Sequence, residues 1–192
     1  IEGDYEKDLI PFFEQFKKDY PKSEYTRWIG PNIQKIIDYY EAIEKTYGEN
    51  VKFMDNYDTF NTLEDVMAQR KGKKVYIDVW ATWCGACIEE YKHKPALEKV
   101  LADNDIKLLY NSIDKNERDQ KWKDGIKYYQ LNGMHMRTND ELYVNLMKLY
   151  SNNAEKPSIT IPWYILIDEE GNIMEKHTKS PSQIAAGEKL LQ

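Results

Sequence analysis

Val75-Tyr76-Ile77-Asp78-Val79-Trp80-Ala81-Thr82-Trp83-Cys84-Gly85-Ala86-Cys87 runs an apolar strand straight into a Cys-x-x-Cys turn. The first five residues are short and nearly continuously apolar, as a buried central strand requires. Cys84 and Cys87 are the only two cysteines of the chain. A bridge between them closes a very small loop and stabilises little, so their value lies in reactivity or in metal binding.

A helix is expected to begin at the turn. A cysteine in its first turn faces unpaired backbone N–H groups and the positive end of the helix dipole, which favour the thiolate. Cys84 holds that place, and Cys87, one turn later on the same face, is placed to attack a mixed disulfide formed at Cys84. A structural zinc site needs about four ligands at suitable spacing. The other soft candidates, His93, His135 and His177, show no paired spacing, so no metal is expected.

Outward from this turn, residues 84–102 read as one helix kinked by Pro95, and residues 106–113 as a second strand, closing a right-handed β-α-β unit. Helices are expected over residues 117–130 and 139–151, separated by the Gly133 region, as an insertion before the next strand. That third strand, residues 159–167, is interrupted by Pro162. Glu169-Glu170-Gly171-Asn172 then turns the chain into a hairpin strand over residues 173–177, and a last helix covers residues 181–190.

On the N-terminal side, Asn61 and Glu64 suggest a capping box for a helix over residues 62–69. Residues 1–50 look helical and separate, with one helix over residues 12–20 bounded by Pro11 and Pro21, and a second starting at Pro31 and ending at Gly48. The domain division expected is therefore 1–50 and 51–192.

The 192 residues suit one well-cored domain with an appendage. A net charge of −6 with Lys and Glu interspersed gives no basic stripe, so a nucleic-acid role is not expected. No apolar run approaches the roughly 20 residues that cross a bilayer. The chain starts at Ile1 rather than Met, which is expected of a processed or truncated form.

Asp78 through Cys87, together with Ile161-Pro162 before an apolar strand, resembles the thioredoxin superfamily over residues 51–192. The Trp80-Ala81-Thr82-Trp83-Cys84 run and the insertion resemble more narrowly the TlpA/ResA-type thiol-disulfide oxidoreductases of bacterial envelopes. The implied fold is α/β and thioredoxin-like: a central mixed β-sheet flanked by helices, a helical insertion before the cis-Pro strand, and an N-terminal helical extension. The implied activity is thiol-disulfide exchange through Cys84 and Cys87 on disulfide-containing protein substrates, at a periplasmic or otherwise extracytoplasmic bacterial location. No bound cofactor is needed, and a membrane-embedded dithiol donor is the implied electron source.

The resemblance also assigns roles. Pro162 matches the family's cis-proline, with Ile161 offering its backbone to an extended substrate. Asp78 matches the buried acid of thioredoxins and Glu90 the acid that envelope reductases keep near the dithiol. Either is a candidate to move the proton. Trp83, Gly85 and Ala86 would border the substrate, whereas Trp80 is expected to pack. Gly85-Ala86 replaces the Gly-Pro of thioredoxins, and Pro95 lies eight residues after Cys87 where the family has five. Two other functions are weighed. A peroxiredoxin-like peroxide reductase lacks its Pro-x-x-x-Thr-x-x-Cys context here, and a redox-inactive binding module would not need Cys84, Cys87 and Pro162.

Overall fold

The computed structural model describes residues 5–191. Its residues group into two compact units: the described part of Ile1–Tyr47 with Asp124–Gln130, and Gly48–Lys123 with the described part of Leu131–Gln192. The first unit holds two helices, α1 (Tyr5–Asp19) and α2 (Glu24–Glu44), which pack on one another. Pro21 lies between the two helices as expected, but the prolines expected to start them lie inside them, Pro11 in α1 and Pro31 in α2. The packed helix pair outweighs the local cost of an interior proline, about 3 kcal/mol. Ser23 caps α2 by accepting the Tyr25 N–H.

The second unit is built on six strands: β1 (Val51–Phe53), β2 (Val75–Trp80), β3 (Lys107–Ser112), β4 (Gly133–Arg137), β5 (Trp163–Ile167) and β6 (Ile173–Glu175). Between them in the sequence run α3 (Leu63–Ala68), α4 (Gly85–Glu90), α5 (Lys94–Asp103), α6 (Asp119–Tyr128), which from Asp124 on belongs to the first unit, and α7 (Asp140–Tyr150), and α8 (Pro181–Ala185) follows β6. The sheet order is β1-β4-β3-β2-β5-β6. The β1–β4, β4–β3 and β3–β2 pairs are parallel, whereas β2–β5 and β5–β6 are antiparallel. This is the mixed α/β sheet expected from the sequence.

All six residues of β2 are buried, as its apolar run requires. Val75, Ile77 and Val79 point to one face and Tyr76, Asp78 and Trp80 to the other. Full burial of each aliphatic side chain contributes about 1.5–3 kcal/mol. Tyr76 clusters with Tyr164 and Leu166 of β5, Leu97 and Leu101 of α5, and Ile184 of α8. The Asp78 face is therefore the one that α5 and α8 cover.

Several local expectations change. Residues 84–102 do not form one kinked helix: α4 ends at Glu90, a 3-10 turn spans Tyr91–His93, and α5 starts anew with Pro95 in its first turn. Proline lacks an N–H to give and is tolerated in a first turn, so a new helix forms rather than a bend. The capping box of α3 uses Thr62 and Asp65 instead of Asn61 and Glu64. The insertion is not helical throughout, because residues 133–137 form β4 between β1 and β3. Met134, His135 and Met136 carry no β-branched signal; pairing on both sides makes this segment a strand. Gly133 opens it at φ 153°, where an added Cβ would meet the Leu108 carbonyl oxygen at 3.0 Å. The last helix stops at Ala185, well short of residue 190.

Candidate active site

The Cys84–Cys87 pair follows the C-terminal end of β2. Cys84 is the N-cap of α4, and its Sγ accepts the Cys87 N–H at 3.1 Å. The two cysteines are joined by a disulfide with their Cα atoms 5.3 Å apart. Both are buried, while Gly85 and Ala86 between them are exposed. A Cβ added at Gly85 would meet nothing within 4 Å, so this glycine leaves open surface beside Cys84.

Trp83 is 56% exposed, whereas Trp80 is fully buried against Tyr91. Trp83 walls a cavity of about 250 Å³ with Ile113, Arg118, Thr138 and Tyr143. A space of this size suits one side chain and falls below the usual volume of a small-molecule site. Tyr143 is the one aromatic of the insertion that reaches this cavity. Trp122 is instead buried against Phe53 and Tyr57, and Tyr150 packs on Trp163 and His177.

Asp78 lies inside the sheet, 1% exposed, and its Oδ1 has no hydrogen-bond partner. Burial, with a smaller push from Glu90, raises its pKa to about 8. Glu90 closes α4 and does not sit on a solvated face. Its carboxylate accepts the Ser182 N–H and the Ser182 hydroxyl, each at 2.8 Å. The two acids named from the sequence are thus brought into electrostatic range of one another.

Ile161 and Pro162 directly precede β5, and the bond between them is cis. Antiparallel pairing sets Val79 opposite Trp163. The Ile161-Pro162 pair therefore borders the C-terminal end of β2, the end that carries the Cys84 loop. His135 is buried in β4, its Nε2 on the Leu131 carbonyl, and burial pushes its pKa down to about 4.

A family model described as Redoxin matches residues 32–191 of this sequence. The chain belongs to the Redoxin family. This Redoxin chain is similar to the thioredoxin-like protein YneN of Bacillus subtilis, at 26% identity over 122 residues covering 62% of this chain and 65% of that protein. It is also similar to the thiol-disulfide oxidoreductase ResA of Bacillus thuringiensis, at 24% identity covering 55% of each. The Redoxin chain thus spans less than two thirds of the length of these curated relatives. Among solved structures, a proposed thiol-disulfide oxidoreductase of Bacteroides vulgatus aligns at 32% identity, with a TM-score of 0.49, 65% of this chain and 75% of that one covered.

One feature of the Redoxin chain has no counterpart in the residues singled out from the sequence. Asp114, just beyond β3, is buried, and its carboxylate accepts four hydrogen bonds. They come from the Thr82 N–H at 2.8 Å, the Thr82 hydroxyl at 2.7 Å, the Ser112 hydroxyl at 2.8 Å and Arg118 Nε at 3.2 Å. Thr82 stands two residues before Cys84, so Asp114 holds the loop that presents the dithiol. The available signal was an acid right after the C-terminal end of a parallel strand, where open α/β sheets place their sites.

Proposed function

We propose that this chain is a thiol-disulfide oxidoreductase that reduces disulfides of extracytoplasmic bacterial proteins through Cys84 and Cys87. The observation that carries the reading is the bonded Cys84–Cys87 pair, with the Cys87 N–H directed at Cys84 Sγ. That N–H stabilises negative charge on the sulfur which must attack.

In the reduced protein, Cys84 thiolate attacks one sulfur of a substrate disulfide, and the other leaves as a thiolate. Cys87 gives its proton to Asp78 or Glu90 and attacks Cys84 Sγ, expelling the second substrate sulfur. Two electrons pass to the substrate, and the cysteines end as the disulfide. Asp78 is the better suited acceptor, because its Oδ1 is unpartnered and its pKa of about 8 lies near that of a free thiol. Glu90 has both oxygens engaged by Ser182.

Trp83, Gly85 and Ala86 form the exposed rim that meets the substrate, with one substrate side chain entering the cavity beside Trp83. Ile161 and Pro162 supply the backbone edge for an extended substrate, a role that rests on the family resemblance and on their place before β5. A membrane-embedded dithiol donor would restore the reduced pair. Protein disulfides persist mainly outside the cytosol, which fits an extracytoplasmic location.

The test is reduction of a disulfide-linked protein, followed by turbidity, with wild type, Cys84→Ala and Cys87→Ala. Wild type is expected to act, Cys84→Ala to be inert, and Cys87→Ala to accumulate mixed disulfides. Equal rates for wild type and Cys84→Ala end this reading, and peroxide consumption that tracks Cys84 would favour a peroxidase instead.

A further inference from the structure

Asp78 sits in a row of register-matched residues that crosses the sheet: Tyr164 in β5, Asp78 in β2, Tyr110 in β3, His135 in β4 and Phe53 in β1. Residues opposed in register project from the same face, with Cβ atoms about 4.5–5.5 Å apart. Ring contacts agree: Tyr110 and His135 stack with centroids 5.1 Å apart, and Phe53 lies 5.8 Å from His135. Asp78 therefore has a tyrosine directly on each side.

Three oxygen atoms of this row have no hydrogen-bond partner, Asp78 Oδ1, Tyr110 Oη and Tyr164 Oη, and beyond Tyr110 neither does His135 Nδ1. All three residues are buried. Unpartnered buried polar groups are uncommon, and here they are complementary, two O–H donors flanking one carboxyl acceptor. A neutral carboxyl tolerates this arrangement better than a charged one, because the ionised form loses far more hydration.

We propose that Tyr110 and Tyr164 are positioning residues for proton transfer at the dithiol: their hydroxyls turn onto the Asp78 carboxylate when it ionises, making it a usable base for Cys87. This rests on the assignment of Asp78 given above. In the resolving step the Cys87 S–H bond breaks and its proton goes to Asp78. The electron pair on Cys87 Sγ forms the bond to Cys84 Sγ, and the bond from Cys84 to the substrate sulfur breaks, with the pair leaving on the substrate thiolate. The tyrosines lose no proton, since burial pushes both hydroxyls well above their ordinary range. They donate hydrogen bonds to the charged form only, and release it once it is neutral.

Trp80 Nε1, on the same strand and face, also lacks a partner but does not titrate, and the titratable groups around Asp78 are otherwise engaged or neutral. Tyr76, on the same strand and face, gives its hydroxyl to the Lys179 carbonyl at 2.7 Å. Glu90 of α4 is held by Ser182 of α8. From α5, Glu98 acts on Tyr110 and is faced by Lys94. His135, on the far side of Tyr110, is held neutral by burial at neutral pH.

The experiment measures the pH dependence of substrate reduction between pH 5 and 9 for wild type, Tyr110→Phe and Tyr164→Phe, each also combined with Asp78→Asn. Each Phe variant is expected to move the acid limb upward by about one pH unit, a roughly tenfold loss of rate on that limb that shrinks to about twofold at pH 9. Neither should shift the profile further once Asp78 is Asn. Profiles that superpose on wild type overturn the proposal, as does a shift that persists with Asp78→Asn. If Asp78→Asn alone leaves the profile unmoved, the Asp78 assignment itself fails and takes this proposal with it. Should a Phe variant not fold, as judged by circular dichroism, fluorotyrosine-labelled protein carries the test. Infrared titration of the Asp78 carboxyl must then move to lower pH, because the donors are stronger; no movement overturns the proposal.

Discussion

Asp78 in β2 and Asp114 just past β3 are equally buried, each 1% exposed, on neighbouring strands of one sheet. Asp114 is surrounded by donors: a backbone N–H, two hydroxyls and a guanidinium. Asp78 has an unpartnered oxygen and a second acid in range. Burial penalises both charges alike, so the supply of hydrogen bonds separates their roles. The saturated acid anchors the loop before Cys84, and the starved one is left to titrate.

Replacing each acid should have opposite effects on stability, and the Asp78 effect should be the larger. Its folded pKa of about 8 lies above the ordinary value of 3.8. The folded state therefore keeps the proton longer than the unfolded one. Stability present below about pH 4 is lost as the pH rises to about 8, by roughly 5 kcal/mol from a shift of some four units. Asp78→Asn should gain about that much over wild type at pH 9 and nothing at pH 4, read by urea denaturation of the oxidised protein across this range. A pH-independent difference would break the contrast.

Asp114→Ala should lose about 3–5 kcal/mol, because it leaves the Thr82 N–H and the Ser112 hydroxyl without their acceptor and removes the carboxylate paired with Arg118. Urea midpoints at pH 6 check it, and a loss under 1 kcal/mol would mean that the network is incidental. Thr82→Val removes one donor to Asp114 and should cost about 1 kcal/mol by the same measurement. Gly85→Ala should shift stability by at most about 1 kcal/mol, in the stabilising direction. Its Cβ enters open space and glycine is a poor helix former. A larger loss there would show that the surface beside Cys84 is more constrained than its geometry suggests.

The Asp78 side of this comparison was legible in the sequence because it lies within one element. An acid inside an apolar run six residues before Cys84 announces its own burial. The Asp114 side was not legible, since its bonds reach back 32 positions to Thr82. Glu90 shows the same boundary. Its spacing from Cys87 marked it as a candidate, but beside Glu89 it could not be told from a solvated face until Ser182, 92 positions away, was seen to hold it. β4 escaped for a related reason: its residues favour a strand only because β1 and β3 lie on either side.

By itself the sequence determined the Cys84–Cys87 turn, the central buried strand feeding it, and the acid within that strand, because hydrophobic periodicity reports how each residue faces within its own element. Only the tertiary structure decided that Tyr110 and Tyr164 flank Asp78 and that Asp114 anchors Thr82. Such neighbours depend on strand order and register, which the many contacts of the whole sheet set together.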